Sequence, residues 1–117
     1  MGNGDRRNGE LGGFGETLAA AHYRAHGYAV LERNWRCRAG EIDLICARGG
    51  TLVVCEVKAR TGSAHGYPLE AVTAPKQRRL RRLAATYLRQ QGRRWPEVRF
   101  DVVSVLDGRL EVVEGAF

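Results

Sequence analysis

Along the chain, the spacing of apolar residues changes period several times, and each change marks an element. Phe14, Leu18, Ala21 and Ala25 recur at helical spacing ahead of Gly27, predicting a first helix from about Phe14 to His26. Residues 28–36, YAVLERNWR, have the aromatic and β-branched character of a strand. Two further apolar runs flank Gly49-Gly50 and predict a hairpin over residues 40–60. The Gly-, Ser- and Pro-containing stretch 61–74 reads as a loop, and Pro75 suits the first turn of a second helix. Leu80, Leu83, Ala84, Tyr87 and Leu88 form that helix's apolar stripe, which Gly92 closes. VRFDVVSVL and RLEVVEGAF are two more strands joined by the hairpin turn Asp107-Gly108. The order α-β-β-β-α-β-β predicts an α/β fold, a mixed sheet of about five strands flanked by helices. The helix between the third and fourth strands permits a crossover and hence one parallel pair.

The hairpin register decides where its charges fall. A two-residue Gly49-Gly50 turn sets Arg48 opposite Thr51, Asp43 opposite Glu56 and Glu41 opposite Lys58. A three-residue loop would slide the register and move Glu56 to the other face. In the two-residue register, Glu41, Asp43, Glu56 and Lys58 share one face, with Ile45, Leu52 and Val54 nearer the turn. Ile42, Leu44, Cys46, Val53, Cys55 and Val57 are expected on the opposite face, as core. A helix covering part of the charged face would leave its ionic end in a cleft.

Like charges opposed on a sheet work against folding. In a partly dry cleft, two carboxylates about 4 Å apart repel by roughly 4 kcal/mol at an effective dielectric of 20. A divalent cation between them reverses the sign, and hard oxygen ligands suit Mg2+ or Mn2+. Asp43 and Glu56 are therefore candidate metal ligands, with the Val57 carbonyl within reach of the same ion. Lys58 returns to the carboxylate face, where an ammonium can orient water and stabilise phosphate charge. Metal and lysine together suit phosphodiester hydrolysis. Polar residues on the wet face of an antiparallel sheet arise by alternation alone, so the pattern also admits a purely structural reading.

Charge placement adds a second feature. Of 117 residues, 19 are Lys or Arg and 13 Asp or Glu, giving a formal +6. Residues 76–94 hold eight basic side chains and no acid, so the basicity is local and favours a polyanionic partner. Arg78, Arg79, Arg81, Arg82 and Arg89 must occupy helix surface left by the apolar stripe. Without acidic partners at i, i+3 or i, i+4 they repel one another, which phosphate contacts would offset. Lys76, in the first turn, is placed to meet a phosphate near outward-pointing amides. Arg60 continues the charged phase of its strand and is a further phosphate-contact candidate. Three cysteines without C-x-x-C spacing fit a reducing cytoplasm. No apolar run is long enough for a membrane span. Residues 1–12 lack an apolar signal region and read as a flexible leader to one domain over 13–117.

Asp43…Glu56-Val57-Lys58 resembles the signature of the PD-(D/E)xK nuclease superfamily, with Ile42 where a proline often precedes the aspartate. The blocks GFGETLAAAHYRAHGYAVLERNWRCRAGEIDLI, VVCEVKAR, AVTAPKQRRLRRLAATYL and RFDVV are similar to the YraN family of small bacterial proteins, over nearly all the chain from about Gly13. The resemblance implies a restriction-endonuclease-like core and nucleic-acid binding. By analogy with resolvases it assigns Glu16 to the metal site; sequence alone would also explain Glu16 as a first-turn glutamate favoured by the helix dipole. Asp101, amid an apolar run, is expected to be structural or to support the site. The function expected is metal-dependent hydrolysis of DNA, in preference to RNA, on branched or damaged structures, and a two-fold dimer would suit a symmetric junction. The alternatives are a nucleic-acid-binding module that does not cut and an interaction protein docking an acidic partner.

Overall fold

A computed structural model describes residues 6–60 and 72–117, with residues 6–12 and Arg60 as backbone alone. The elements are α1 (Arg6–Ala25), β1 (Ala29–Cys37), β2 (Gly40–Arg48), β3 (Thr51–Arg60), α2 (Ala74–Gln91), β4 (Glu97–Leu106) and β5 (Arg109–Val113), in the expected α-β-β-β-α-β-β order. Helix α1 begins well before Phe14, so the expected leader is helical from Arg6 onward, and residues 1–5 lie outside the described residues. Most of the expected 61–74 loop, residues 61–71, also lies outside them. Among the described residues no helix is long and apolar enough to cross a membrane.

The five strands form one sheet in the order β1-β2-β3-β4-β5. Its β3–β4 pair is parallel and spans Thr51–Glu97 to Arg60–Leu106, joined through α2, while the other neighbours are antiparallel. Both helices end on glycine signals. Thr73 caps α2, its hydroxyl accepting the Lys76 amide, and Gly92 closes it in the left-handed region at φ 66°. At the β4–β5 turn, Asp107 and Gly108 take φ values of 49° and 81°. Strand β5 stops short of the chain end. Ala116 N–H then donates to the Phe100 carbonyl at 2.7 Å, and Phe117 stacks on Phe100.

The sheet is buried on both sides: α1 covers the expected core face, and α2 covers the apolar end of the charged one, as Ile45, Leu52 and Val54 foretold. One cluster gathers Ala19, Ala20, Tyr23, Leu44, Cys46, Val53, Cys55, Val103 and Val105 under α1. The other sets Ile42, Ile45, Leu52, Val54, Phe100 and Val102 against Leu80, Leu83, Ala84 and Tyr87 of α2. Ile42 therefore lies with Ile45, not with Leu44 as strict alternation requires. The phase breaks at Asp43, alongside Asn34 of β1, which adopts a left-handed φ of 54°. The left-handed Asn34 turns β1 out of regular pleat opposite the point at which β2 changes face.

Asp101 is fully buried in β4 and completely satisfied. It accepts from the Tyr23 hydroxyl at 2.6 Å, from Arg99 Nε at 2.9 Å and Nη2 at 3.0 Å, and from the Gly115 amide at 3.0 Å. Arg99 also donates to the Tyr28 hydroxyl at 3.0 Å. This network ties α1, β4 and the C-terminal residues together beside Cys55 and resolves Asp101 into its structural role. Asp101→Ala leaves the Arg99 guanidinium without its carboxylate, so it should lower stability by about 3–5 kcal/mol. Urea unfolding with an unchanged slope and a shifted midpoint is the measurement.

Candidate functional site: a carboxylate and lysine cleft

The hairpin register is the one a Gly49-Gly50 turn dictates: pairing runs from Arg48–Thr51 to Leu44–Cys55. Gly49 takes a left-handed φ of 58° to make the turn. Beyond Leu44–Cys55 the ladder stops, so Asp43 and Glu56 are not backbone partners as expected. Instead, Asp43 Oδ2 accepts the Val57 amide at 2.8 Å, a side chain standing in for the missing strand acceptor. The expected Glu41–Lys58 pair does not form either. Glu41 pairs with Arg36 on the other side, at 3.7 Å, and Lys58 with Glu56, at 3.6 Å. Both departures have one cause: β2 leaves β3 at Asp43, and this parting opens the cleft.

Three acids lie within reach of one another's charge there. Glu16 arrives on α1, which approaches β3 closely because Gly15 has no side chain. A Cβ at that position would lie 3.0 Å from the Ala59 Cβ and 3.4 Å from Val57 Cγ1. Glu16 is only 7% exposed and Glu56 only 8%. Burial raises the Glu16 carboxyl above its usual range, against the pull of Asn34 and Arg33, and Glu41 and Glu56 push in the same direction. Burial, followed by the Glu56 charge, pushes Asp43 up to about 7, although the Val57 amide favours its ionised form. Glu16 Oε1 is buried with no hydrogen-bond partner among the described residues.

Two lysines answer these charges. Lys76 Nζ lies 2.6 Å from Glu56 Oε2, and Lys58 Nζ lies 3.6 Å from the same oxygen. Burial and the adjoining Lys76 lower the pKa of Lys58. For Lys76 burial acts downward, but the Glu56 and Lys58 contacts outweigh it and the net shift is upward. The sequence placed Lys76 outward as a phosphate contact, whereas here it turns into the cleft. The signal was present. Lys76 stands four residues before Leu80, on the stripe that faces the sheet.

The donor set consists of carboxylate oxygens, one of them buried and unpartnered, which is the chemistry that suits Mg2+ or Mn2+. Among the described residues, no three His, Cys, Asp or Glu side chains are drawn together into a ready-made metal cage. Arg78, Arg79, Arg81, Arg82 and Arg89 are exposed on α2, and none takes part in a salt bridge among the described residues. Arg81 lies over the Phe100 ring at 4.9 Å. The Arg60 side chain is outside the described residues.

The Asp43 shift has a measurable sign. Its folded pKa, about 7, exceeds the ordinary aspartate value of 3.8, so the folded state binds the extra proton between these pH values. This contribution is fully present below about pH 4 and is lost as pH rises through 7. It amounts to at most about 4 kcal/mol at 1.4 kcal/mol per pKa unit. In EDTA, wild-type stability relative to Asp43→Asn should therefore fall between pH 4.5 and 7.5 and level off above; denaturant titrations across that range test it.

Sequence comparison places the chain among relatives with the same extent. The model of "Uncharacterised protein family UPF0102" matches residues 15–105. A UPF0102 protein of Rhodococcus jostii is 50% identical over 112 residues, covering 92% of this chain and 95% of its own. Another from Acidothermus cellulolyticus is 48% identical, covering 92% of each chain. One from Clavibacter michiganensis is 49% identical, covering 94% of this chain and 98% of its own. The matched span runs from Gly15 through Glu16, the hairpin and α2 to Val105, so it includes every residue of the cleft, and the chain belongs to the UPF0102 family, the YraN family its sequence blocks resemble.

Proposed function

We propose that this protein is a metal-dependent endonuclease that hydrolyses DNA phosphodiesters, on branched or damaged substrates. The observation that carries the reading is that Glu16, Asp43 and Glu56 lie within reach of one another's charge, with Lys58 beside Glu56, where β2 and β3 part. A scaffold has no need to bury three acids within reach of one another's charge. Asp43, Glu56 and Glu16 are the residues that would hold Mg2+ or Mn2+, with the Val57 carbonyl beside them. The ion, when bound, supplies a water of lowered pKa and polarises the phosphate. Lys58, beside Glu56, would orient a water and, as the ammonium, stabilise charge on the phosphate oxygens. The exposed arginines of α2, with Arg78, Arg79 and Arg82 foremost, hold the duplex by its phosphates. Arg60, at the end of β3, is a further phosphate contact in this reading. A reducing cytoplasm suits the three free thiols.

A second reading, a nucleic-acid-binding module that does not cut, draws support from the two ion pairs of Glu56. Glu56 is already neutralised by Lys76 and Lys58 without an ion. The two readings part in one assay. Linear, flapped and four-way DNA are incubated with Mg2+ or Mn2+ and wild type, Glu56→Ala or Lys58→Ala. The endonuclease reading expects cleavage by wild type and a loss of at least about 100-fold in either variant, the scale of removing one electrostatic stabiliser or proton-transfer group. Equal cleavage by all three would point to a contaminant, and binding without cleavage to the second reading. Separately, Arg79→Ala or Arg82→Ala should each flatten the salt dependence of DNA affinity by about one phosphate contact. An unchanged slope would remove α2 from the interface.

A further inference from the structure

The geometry points to Lys76 as an internal counter-ion that a divalent cation must displace from Glu56, so that loading the cleft releases this ammonium for the nucleic-acid phosphate. The inference rests on the metal-dependent reading above and adds a residue and a coupling to it.

Three observations carry it. Lys76 Nζ is 2.6 Å from Glu56 Oε2, while Lys58 is 3.6 Å from the same atom, so Lys76 is the closer partner of this carboxylate. Glu56 is one of the two hairpin acids, and it is 8% exposed, so its charge depends on a near partner more than on water. Lys76 also comes from a different layer. It lies in the first turn of α2, whose following arginines face solvent, whereas Lys58 belongs to the same strand as Glu56. An incoming cation on Glu56 repels both ammonium groups. Lys76, the closer of the two, occupies the side of Glu56 Oε2 that a cation needs, whereas Lys58, at 3.6 Å, leaves that oxygen accessible. The departure of Lys76 leaves the cation in its place and adds one positive group to the phosphate-binding surface. The exchange therefore makes ion binding and polyanion binding mutually favourable.

The wild-type protein allows a direct test. Selectively labelled lysine ammonium groups are followed by NMR during a Mg2+ titration, alongside the carboxyl signals of Asp43 and Glu56. A Lys76 ammonium signal protected without the ion, and losing that protection as the carboxyl signals shift, supports the exchange. Carboxyl shifts with an unchanged Lys76 signal overturn it and leave the metal site standing. If neither signal responds, the exchange and the metal-dependent reading fall together. A second arm measures Mn2+ affinity by calorimetry. Lys76→Gln removes the competitor and should bind Mn2+ about tenfold more tightly than wild type, a shift of one decade for one lost competing interaction. Lys76→Arg, which keeps the charge, should remain close to wild type. A purely structural lysine would give weaker or unchanged binding in Lys76→Gln, and that result overturns the proposal.

Discussion

The parting of two strands at Asp43 is the constraint on which the rest of the cleft depends. While β2 and β3 remain paired, from Arg48–Thr51 to Leu44–Cys55, their side chains go into two apolar layers and carry no chemistry. One residue further on, the Asp43 carboxylate takes over a backbone hydrogen bond from Val57. That substitution holds the acid beside Glu56 and opens room for Glu16 from the opposite helix. Burial then works against all these charges, and the positions of Lys58 and Lys76 are the compensation.

The remaining architecture keeps this arrangement in place. Gly15 lets α1 lie against Val57 and Ala59, which seats the next residue, Glu16, over the cleft. On the same side of the sheet, Asp101 joins Tyr23 of α1 to Arg99 and the Gly115 amide, anchoring the helix and the chain end to β4. On the other side, Leu80, Leu83, Ala84 and Tyr87 clamp α2 to the sheet, and Lys76 extends that stripe to the cleft. The apolar face of α2 thus points its arginines outward and its first lysine inward, so one helix serves both the cleft and the basic surface.

Much of this was legible in the sequence, and the failures have local causes. Gly49-Gly50 fixed the hairpin register because a two-residue turn leaves no freedom in pairing. The two helices, the parallel β3–β4 pair and the Asp107-Gly108 turn followed from period and turn chemistry. The face of Ile42 did not, because period-two reasoning assumes a regular strand, and Asn34 and Asp43 interrupt it with one left-handed residue and one side-chain hydrogen bond. For the same reason Glu41 was matched with Lys58, although it pairs with Arg36. Glu16 was drawn into the cleft by family resemblance, since a first-turn glutamate has an adequate local explanation without it. Lys76 lies in a first turn whose outward amides suit a phosphate, but its four-residue spacing from Leu80 turns it inward with the leucines.

In the proposed function, the acids Glu16, Asp43 and Glu56, the two lysines that balance them and the exposed arginines of α2 act together on a polyanion. The central claim is that Asp43 and Glu56 share one divalent cation. A crystal soaked in Mn2+ and measured for anomalous scattering addresses this directly. The account predicts a peak within coordination distance of both carboxylates, lost in Asp43→Ala. A map with no peak there, while Glu56 remains paired with Lys76, would contradict it.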